Sequence, residues 1–581
     1  MEETLAVVGL GPSGKATLVQ CGLVAASAGA LVQALTVATS CASSEWGVSE
    51  GRAWAVSQLV VLGEVLGAAV WGFAADALGR AEVSSLACVL AAGSAVICAL
   101  ATSFDALSVG CFGCGFALGG MAAAPSVLMV ERSAAQGRGR YAAALGFFFA
   151  AGGAFAAVAH AAVHGAVENL VFFGFYKLDA HVWRGAFLFV ALLPLGAAVA
   201  CSRRLPESVR WLLSKRRDAA ARRVVEAAAS ANFGSHHAVT HAMLAFDAAL
   251  DALDEALVGG AGPAGRAETT CVASETRRVA SETSRAALAA LAAAALPQMR
   301  NSARLRRILR EVSSAAMSCL ASVAFLHGFA SFAVLQLIRL EFDADGRADA
   351  SAFATLRQSL QQSLPHGRLL RPLGSARWAP SLAAGESCAA LDYTLVSLAV
   401  ISQVAGTWVS RHLIDIIGRR LTLSSLFAVA AAGVLCLATP EYVSQVEALT
   451  RTSLLCALMA TRGALAAAQT VVAIFAAELH AVDARASAVS LIYVSARLGG
   501  LAATSWVAAP TPVSTASLLV TLIVVTAAWA SLAMPTETAG CALRDGFEDA
   551  GSLRRFRHSH KRDARPQHAT AAENERLPLL N

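Results

Sequence analysis

The chain has 581 residues and a formal net charge of +6, and 56% of it is hydrophobic against 15% charged. Ordinary soluble domains carry roughly 45–50% apolar and about 25% charged residues, so much of this sequence must face something other than water. A soluble protein of ordinary composition is excluded, and lipid is the natural solvent.

Apolar runs of about 20 residues, enough to cross roughly 30 Å of hydrocarbon, recur along the chain. In order they predict spans at 18–41, 54–75, 83–102, 106–130, 141–164 and 184–201, then at 314–338, 391–414, 421–439, 453–479, 485–508 and 514–534. The fold class is an all-α polytopic membrane protein with twelve transmembrane helices in two six-helix halves. Residues 1–17 read as a leader, 18–201 as the first half and 202–313 as a central loop. Residues 314–534 read as the second half with an insertion at 341–390, and 535–581 as a tail.

The leader has one Lys and no small-residue cleavage site before soluble sequence, so the first span is expected to stay in place. Its Gly9, Gly11 and Gly14 satisfy GxGxxG and, with Lys15, nearly a phosphate loop. Ala16 occupies the Ser/Thr position and no βαβ unit follows, so a glycine-rich entry to the first span is the better reading. Arginines cluster after alternate spans, at Arg80, at Arg132, Arg138 and Arg140, and from Arg203 to Arg223, which predicts that these loops and both termini are cytoplasmic. The loop after the seventh span also carries arginines, but long loops cross regardless of charge. Thirteen cysteines are scattered, mostly inside spans, and Cys41 with Cys388 is the one plausible outer-face pair.

Three elements recur in order in the two halves. Gly72-Phe-Ala-Ala-Asp76-Ala-Leu-Gly79-Arg80 after the second span matches Asp415-Ile-Ile-Gly418-Arg419-Arg420 after the eighth. Glu131 with Arg138 seven positions on matches Glu478 with Arg485. Leu205-Pro206-Glu207-Ser208-Val209-Arg210-Trp211 matches Pro535-Thr536-Glu537. Carboxylates and guanidiniums at helix ends can pair in one state and separate in another, so these loops are expected to latch a gate. Gly79 and Gly418 suit tight turns between adjacent helices. The bland alternative, that each charge merely anchors a helix end, weakens when all six clusters stand in register.

On these motifs the sequence resembles the major facilitator superfamily, in the group of sugar porters, organic ion transporters and synaptic vesicle protein 2 relatives. Asp392-Tyr393, the run Ser402-Gln403-Val404-Ala405-Gly406, Arg462 and Arg497-Leu-Gly499 look most like the synaptic vesicle protein 2-related branch. The resemblance implies solute binding near the midplane and alternating access. The branch usually has an acidic residue in the first span, an Arg in the fourth and a Glu in the eighth, where this chain has Ala28, Cys111 and Gln403.

Ionisable residues inside spans are costly and face a partner or a water-filled cavity. Glu64 and Arg497 each stand 12 residues from the same membrane face, hence at equal depth, and are expected to pair across the halves in a state-dependent manner or as a permanent packing pair. Arg462 and Gln469 share a helix face and offer a guanidinium and an amide to an anionic group, unless Arg462 snorkels. His160, His164 and His327 read as satisfied polar residues near helix ends. Cys111 and Cys114 read as small packing residues, and His236, His237 and His241 as a solvated face. Arg210 through Ala229 forms a basic helical stretch able to meet the gate or anionic lipid, and 258–285 is Gly-, Ser- and Thr-rich. The tail ends with Glu575, Leu579 and Leu580 in an acidic dileucine pattern that clathrin adaptors read, pointing to endosomal, vacuolar or vesicle membranes beside the plasma membrane.

The expected function is secondary active transport of a small organic solute, anionic or zwitterionic, with protons as coupling ion through Glu64. No enzyme activity, cofactor, metal or nucleic-acid partner is implied. Two alternatives stand beside it: a transporter-shaped receptor or trafficking protein, and a hexose porter.

Overall fold

A computed structural model describes residues 2–172, 182–233, 235–258, 314–343, 393–436, 447–507 and 513–543. The insertion, Cys388, Asp392, the stretch after 258 and the sorting residues Glu575, Leu579 and Leu580 lie outside them. The first half comprises α2 (Gly11–Glu45), α3 (Glu50–Leu78), α4 (Arg80–Ala99), α5 (Phe104–Arg132), α6 (Arg138–Phe172) and α7 (Val182–Arg204). The second comprises α11 (Ala315–Asp343), α12 (Tyr393–Leu413), α13 (Arg419–Leu435), α14 (Glu447–Leu479), α15 (Arg485–Val507) and α16 (Val513–Leu532). Ten of these twelve are long and apolar enough to cross a membrane. Along α7, Leu188, Leu192, Leu195 and Val199 are exposed at helical spacing, as are Leu518, Leu522, Val525 and Trp529 along α16. Such apolar stripes on the outside of a bundle suit lipid contact.

Within each half small residues set the helix spacing, because without an aqueous hydrophobic drive helices gain most from close backbone approach. A Cβ on Gly29 of α2 would lie 1.9 Å from the Phe149 carbonyl oxygen of α6, and one on Gly328 of α11 would lie 1.7 Å from that of Ala496 in α15. These are equivalent helix pairs of the repeat. The halves meet where α3 packs on α15 and α6 packs on α12.

Four short helices cover the face that carries the repeated loops, called here the motif face: α1 (Glu2–Val8), α8 (Val209–Ser214), α9 (Asp218–Asn232) and α10 (His236–Val258). Val8, Trp211, Leu212, Val225 and Phe246 share a separate apolar cluster with Val482 from the α14–α15 turn. On α9, Ala221, Val225 and Ala228 turn inward while Arg222 and Arg223 stay exposed.

The glycine-rich leader forms a defined turn into the first span. Gly9 makes the turn between α1 and α2 with φ +65°, and α2 begins at Gly11, seven residues before the predicted start. Asn232 of α9 fills the space a Gly11 side chain would need. Its Oδ1 accepts from the Ser13 N–H at 2.9 Å, and its Nδ2 donates to the Val8 and Gly9 carbonyls at 2.9 and 3.2 Å. Hydropathy misses this turn because it is held by a distant cap. Cys41 is disulfide-bonded. His236, His237 and His241 are exposed, while Cys111 and Cys114 are buried in α5 beside Cys98 of α4.

Candidate functional site

The motif face holds two pseudo-equivalent charge clusters. In the first, Arg80 reaches Asp76 and Glu131, both at 3.1 Å, and Glu131 also binds Arg485 of the second half at 2.8 Å. In the second, Arg419 reaches Asp415 at 3.0 Å and Glu478 at 2.7 Å, and Arg138 of the first half stands 3.9 Å from Glu478. Both loop aspartates cap a helix of the opposite half. Asp76 accepts from the Ala486 and Ser487 N–H groups at the start of α15, at 3.2 and 2.9 Å. Asp415 accepts from those of Gly139 and Arg140 at the start of α6, at 3.2 and 2.8 Å. Free N–H groups and the dipole of a helix start favour a carboxylate there.

Among the described residues Glu207 and Glu537 bond backbone N–H groups and form no ion pair with a guanidinium. Each caps a helix: Glu207 accepts from the N–H groups of Arg80 and Ala81 at 3.1 Å, and Glu537 from those of Arg419 and Arg420 at 3.0 and 3.1 Å. A carboxylate can satisfy two orphan donors at a helix start while the adjacent arginine turns inward. Gly79 and Gly418, at φ +119° and +85°, let the chain turn beneath these carboxylates. Arg210 binds Glu2 at 2.8 Å. Trp211 donates its indole N–H to the Asp76 carbonyl at 3.1 Å.

Deeper in the bundle, Glu64 of α3 and Arg497 of α15 meet at 2.7 Å across the halves. Glu64 is only 4% exposed. Neither of the two approaching atoms, Glu64 Oε2 and Arg497 Nε, makes an aligned hydrogen bond, so the contact is ionic and poorly directed. Arg497 also lies over the Tyr493 ring at 4.6 Å and donates to its hydroxyl. Tyr493 was not singled out in the sequence, although its position four residues before Arg497 on one helix face signals such a stack. His327 is not near a helix end but within α11, where its Nε2 contacts the Leu465 carbonyl of α14 at 2.8 Å. His160 is buried in α6.

On α14 the half-buried residues Arg462, Ala466, Gln469 and Ala473 recur at helical spacing and form one stripe. That stripe is flanked by Leu465, which meets α11, and by Thr470, which abuts Gly146 of α6, so it faces the interior between the halves. Arg462 has no ion-pair partner among the described residues. Gln403 lies on α12 one turn before Gly406, whose backbone touches Gly463 beside Arg462. No hydrogen bond links Arg462, Gln469 and Gln403 among the described residues. The arrangement provides a charge pair where α3 meets α15 and, on α14 and α12, a guanidinium with no counter-charge among the described residues and two amides.

A family profile described as sugar (and other) transporter matches residues 19–253. No curated protein sequence matches the chain. Among solved structures the chain is similar to the proton:xylose symporter XylE bound to 6-bromo-6-deoxy-D-glucose, at 14% identity over 94% of this chain and 98% of that one, with a TM-score of 0.61. It is also similar to the xylose transporter XylE from E. coli in a partially occluded inward-open conformation, at 13% identity over 91% and 99% of the two chains, with a TM-score of 0.55. The inward-open form of that transporter gives 12% identity over 92% and 98%, with a TM-score of 0.52. The chain therefore has the fold of the major facilitator superfamily, twelve helices in two six-helix halves.

Proposed function

We propose that the chain is a secondary active transporter of the sugar (and other) transporter family that moves a small organic solute by alternating access. Its motif face is then cytoplasmic, with both termini on that side, and the Asp392, Gln403 and Arg497 motifs ally it with the synaptic vesicle protein 2-related branch. The observation that carries the reading is the buried Glu64–Arg497 contact between helices of opposite halves. An ion pair inside a membrane costs desolvation that its own attraction barely offsets, so its position at a moving seam is worth more to function than to stability. Protonation of Glu64 would release Arg497, which makes the pair a coupling site for protons.

Arg462 favours a solute with an anionic group, since a buried guanidinium without a counter-charge gains most from a carboxylate or phosphate. Gln469 and Gln403 would then bind neutral parts of the solute. A second reading, a hexose porter, is supported by the family profile and by the xylose-transporting neighbours. Counterflow in proteoliposomes decides between them: saturable exchange of carboxylates that Arg462→Gln lowers at least tenfold supports the anion reading. Saturable exchange of neutral sugars, little changed by Arg462→Gln, supports the porter. Absence of exchange across a broad solute panel would leave a receptor or trafficking role as the better account.

A further inference from the structure

The Glu2 carboxylate gathers donors from both halves. It accepts from Arg138 Nη2 at 2.6 Å, from Arg210 Nη2 at 2.8 Å and from the Ala135 N–H at 3.1 Å, all attached to the first half. It also accepts from the Leu543 N–H at 3.1 Å, just beyond the last helix of the second half. Arg138 in turn donates to the Cys541 carbonyl at 3.0 Å. Three of these four donors converge on Oε1 and the Ala135 N–H reaches Oε2.

The polar contacts of the rest of α1 are with the first-half side, while the apolar cluster that Val8 enters also takes in Val482 of the second half. The Thr4 hydroxyl donates to the Ala245 carbonyl of α10 at 3.1 Å, Val8 enters the apolar cluster of α8 to α10, and Asn232 of α9 holds the α1–α2 turn. Glu2 therefore reaches across the seam from a segment that would move with the first half. Glu478, the repeat's own partner for Arg138, lies 3.9 Å from it, whereas the equivalent Glu131–Arg485 contact is 2.8 Å. The carboxylate of α1 has taken the place of the second cluster's cross-half bond.

From this geometry we infer that α1 is a clasp on the motif face: Glu2 bridges the Arg138–Arg210 pair to the segment after α16 and holds the two halves together there. The inference rests on the alternating-access reading, in which the halves part at this face. Opening must break the bond to Leu543 and the Arg138–Cys541 bond together, so the clasp sets how often the motif face opens and remains attached to one half when it does.

Spin labels at exposed Gln136 and Ile416, one on each half, report the separation by double electron–electron resonance in the full chain. Exposed Cys436 and Cys456 and half-buried Cys541 are replaced by serine beforehand. Glu2→Gln keeps the size of the side chain and the apolar contacts of α1, and is expected to raise the ratio of long to short separations about tenfold, the scale of a lost charge-assisted hydrogen bond. Leu543→Pro removes the N–H donor together with a buried side chain, so it is compared with Leu543→Ala, which keeps the donor, and is expected to raise the ratio about threefold above that control. Distance distributions unchanged by both Glu2→Gln and Leu543→Pro, while Glu131→Gln shifts them, would overturn the clasp and leave alternating access intact. Distributions unmoved by all three would overturn both.

Discussion

The two charge clusters on the motif face descend from one repeated pattern, yet they differ in how many arginines each central carboxylate must hold. Glu131 holds Arg80 and Arg485 at 3.1 and 2.8 Å, and all three side chains are fully buried. Glu478 holds Arg419 through two bonds of 2.7 and 2.9 Å, while Arg138 is served by Glu2. In the first cluster one carboxylate thus holds an arginine from each half, beside the Asp76 cap on α15, and the second shares its load with a segment outside the repeat. Internal symmetry in sequence fixes where charges lie, and a single added carboxylate redistributes what they do.

Glu131→Gln is the sharpest test of that difference. It removes the carboxylate that two buried guanidiniums share and leaves Arg80 with Asp76, and breaking a buried pair typically costs about 3–5 kcal/mol because the charge that loses its partner has no solvent. The expected outcome is a large loss of thermal stability in detergent, together with opening of the motif face. Glu478→Gln weakens the hold on Arg419 alone, which keeps Asp415 at 3.0 Å while Arg138 keeps Glu2, and is expected to cost less, about 2–3 kcal/mol. Combining it with Glu2→Gln leaves Arg138 without any carboxylate, so the double substitution should exceed the sum of the singles. Equal losses from the two single carboxylate substitutions, or strict additivity in the double, would erase the asymmetry.

A smaller comparison concerns the turns. Gly79 and Gly418 both take up conformations that residues with a Cβ rarely adopt, and a Cβ would lie 2.3 Å from Glu207 at the first but 2.9 Å from Glu537 at the second. Such positions cost about 1–3 kcal/mol for a residue other than glycine. Gly79→Ala is expected at the upper end, because Glu207 is half-buried and tied to the N–H groups of Arg80, Ala81 and Ser208, and Gly418→Ala at the lower end, beside the exposed Glu537. Parallel melting curves of the two variants measure the gap.

Most of this was legible in the chain. Twelve apolar runs located the helices, and three repeated motifs located both clusters, because lipid forces long apolar segments and helix starts demand carboxylates whatever the tertiary contacts. Equal depth brought Glu64 and Arg497 together on paper as they are in the bundle. What stayed hidden depends on contacts with no sequence period. Nothing in Met-Glu2-Glu3-Thr4 marks Glu2 as a partner for Arg138, 136 residues away. Glu207 and Glu537 looked like partners for arginine because charge is visible in a sequence and orphan backbone N–H groups are not. His327 looked like a helix-end residue because its partner is a main-chain carbonyl of another helix.

The smallest expected effect is an absence of response to pH at the clasp and at the second cap. Burial alone would raise the Glu2 carboxyl, but Arg210 and Arg138 with two backbone N–H groups hold it below its ordinary value. Burial also opposes ionisation of Glu537, and the N–H groups of Arg419, Arg420, Ala539 and Thr538 outweigh it in the same direction. A carboxyl depressed in the closed state contributes fully above its ordinary value and is lost only as pH falls through the depressed one. Between pH 8 and pH 5.5 both groups therefore stay charged, and neither can open the motif face. If the separation of the halves responds to pH in that window, the response must arise elsewhere, at Glu207, whose carboxyl is raised by burial, or at Glu64 between the halves, which is the group expected to give it. Glu64→Gln should then flatten the pH dependence of the long-to-short ratio, while Glu2→Gln shifts the ratio at every pH and leaves its midpoint in place. A midpoint that moved with Glu2→Gln would instead make the clasp itself the titrating element, and the division of labour between the motif face and the mid-span pair would fall.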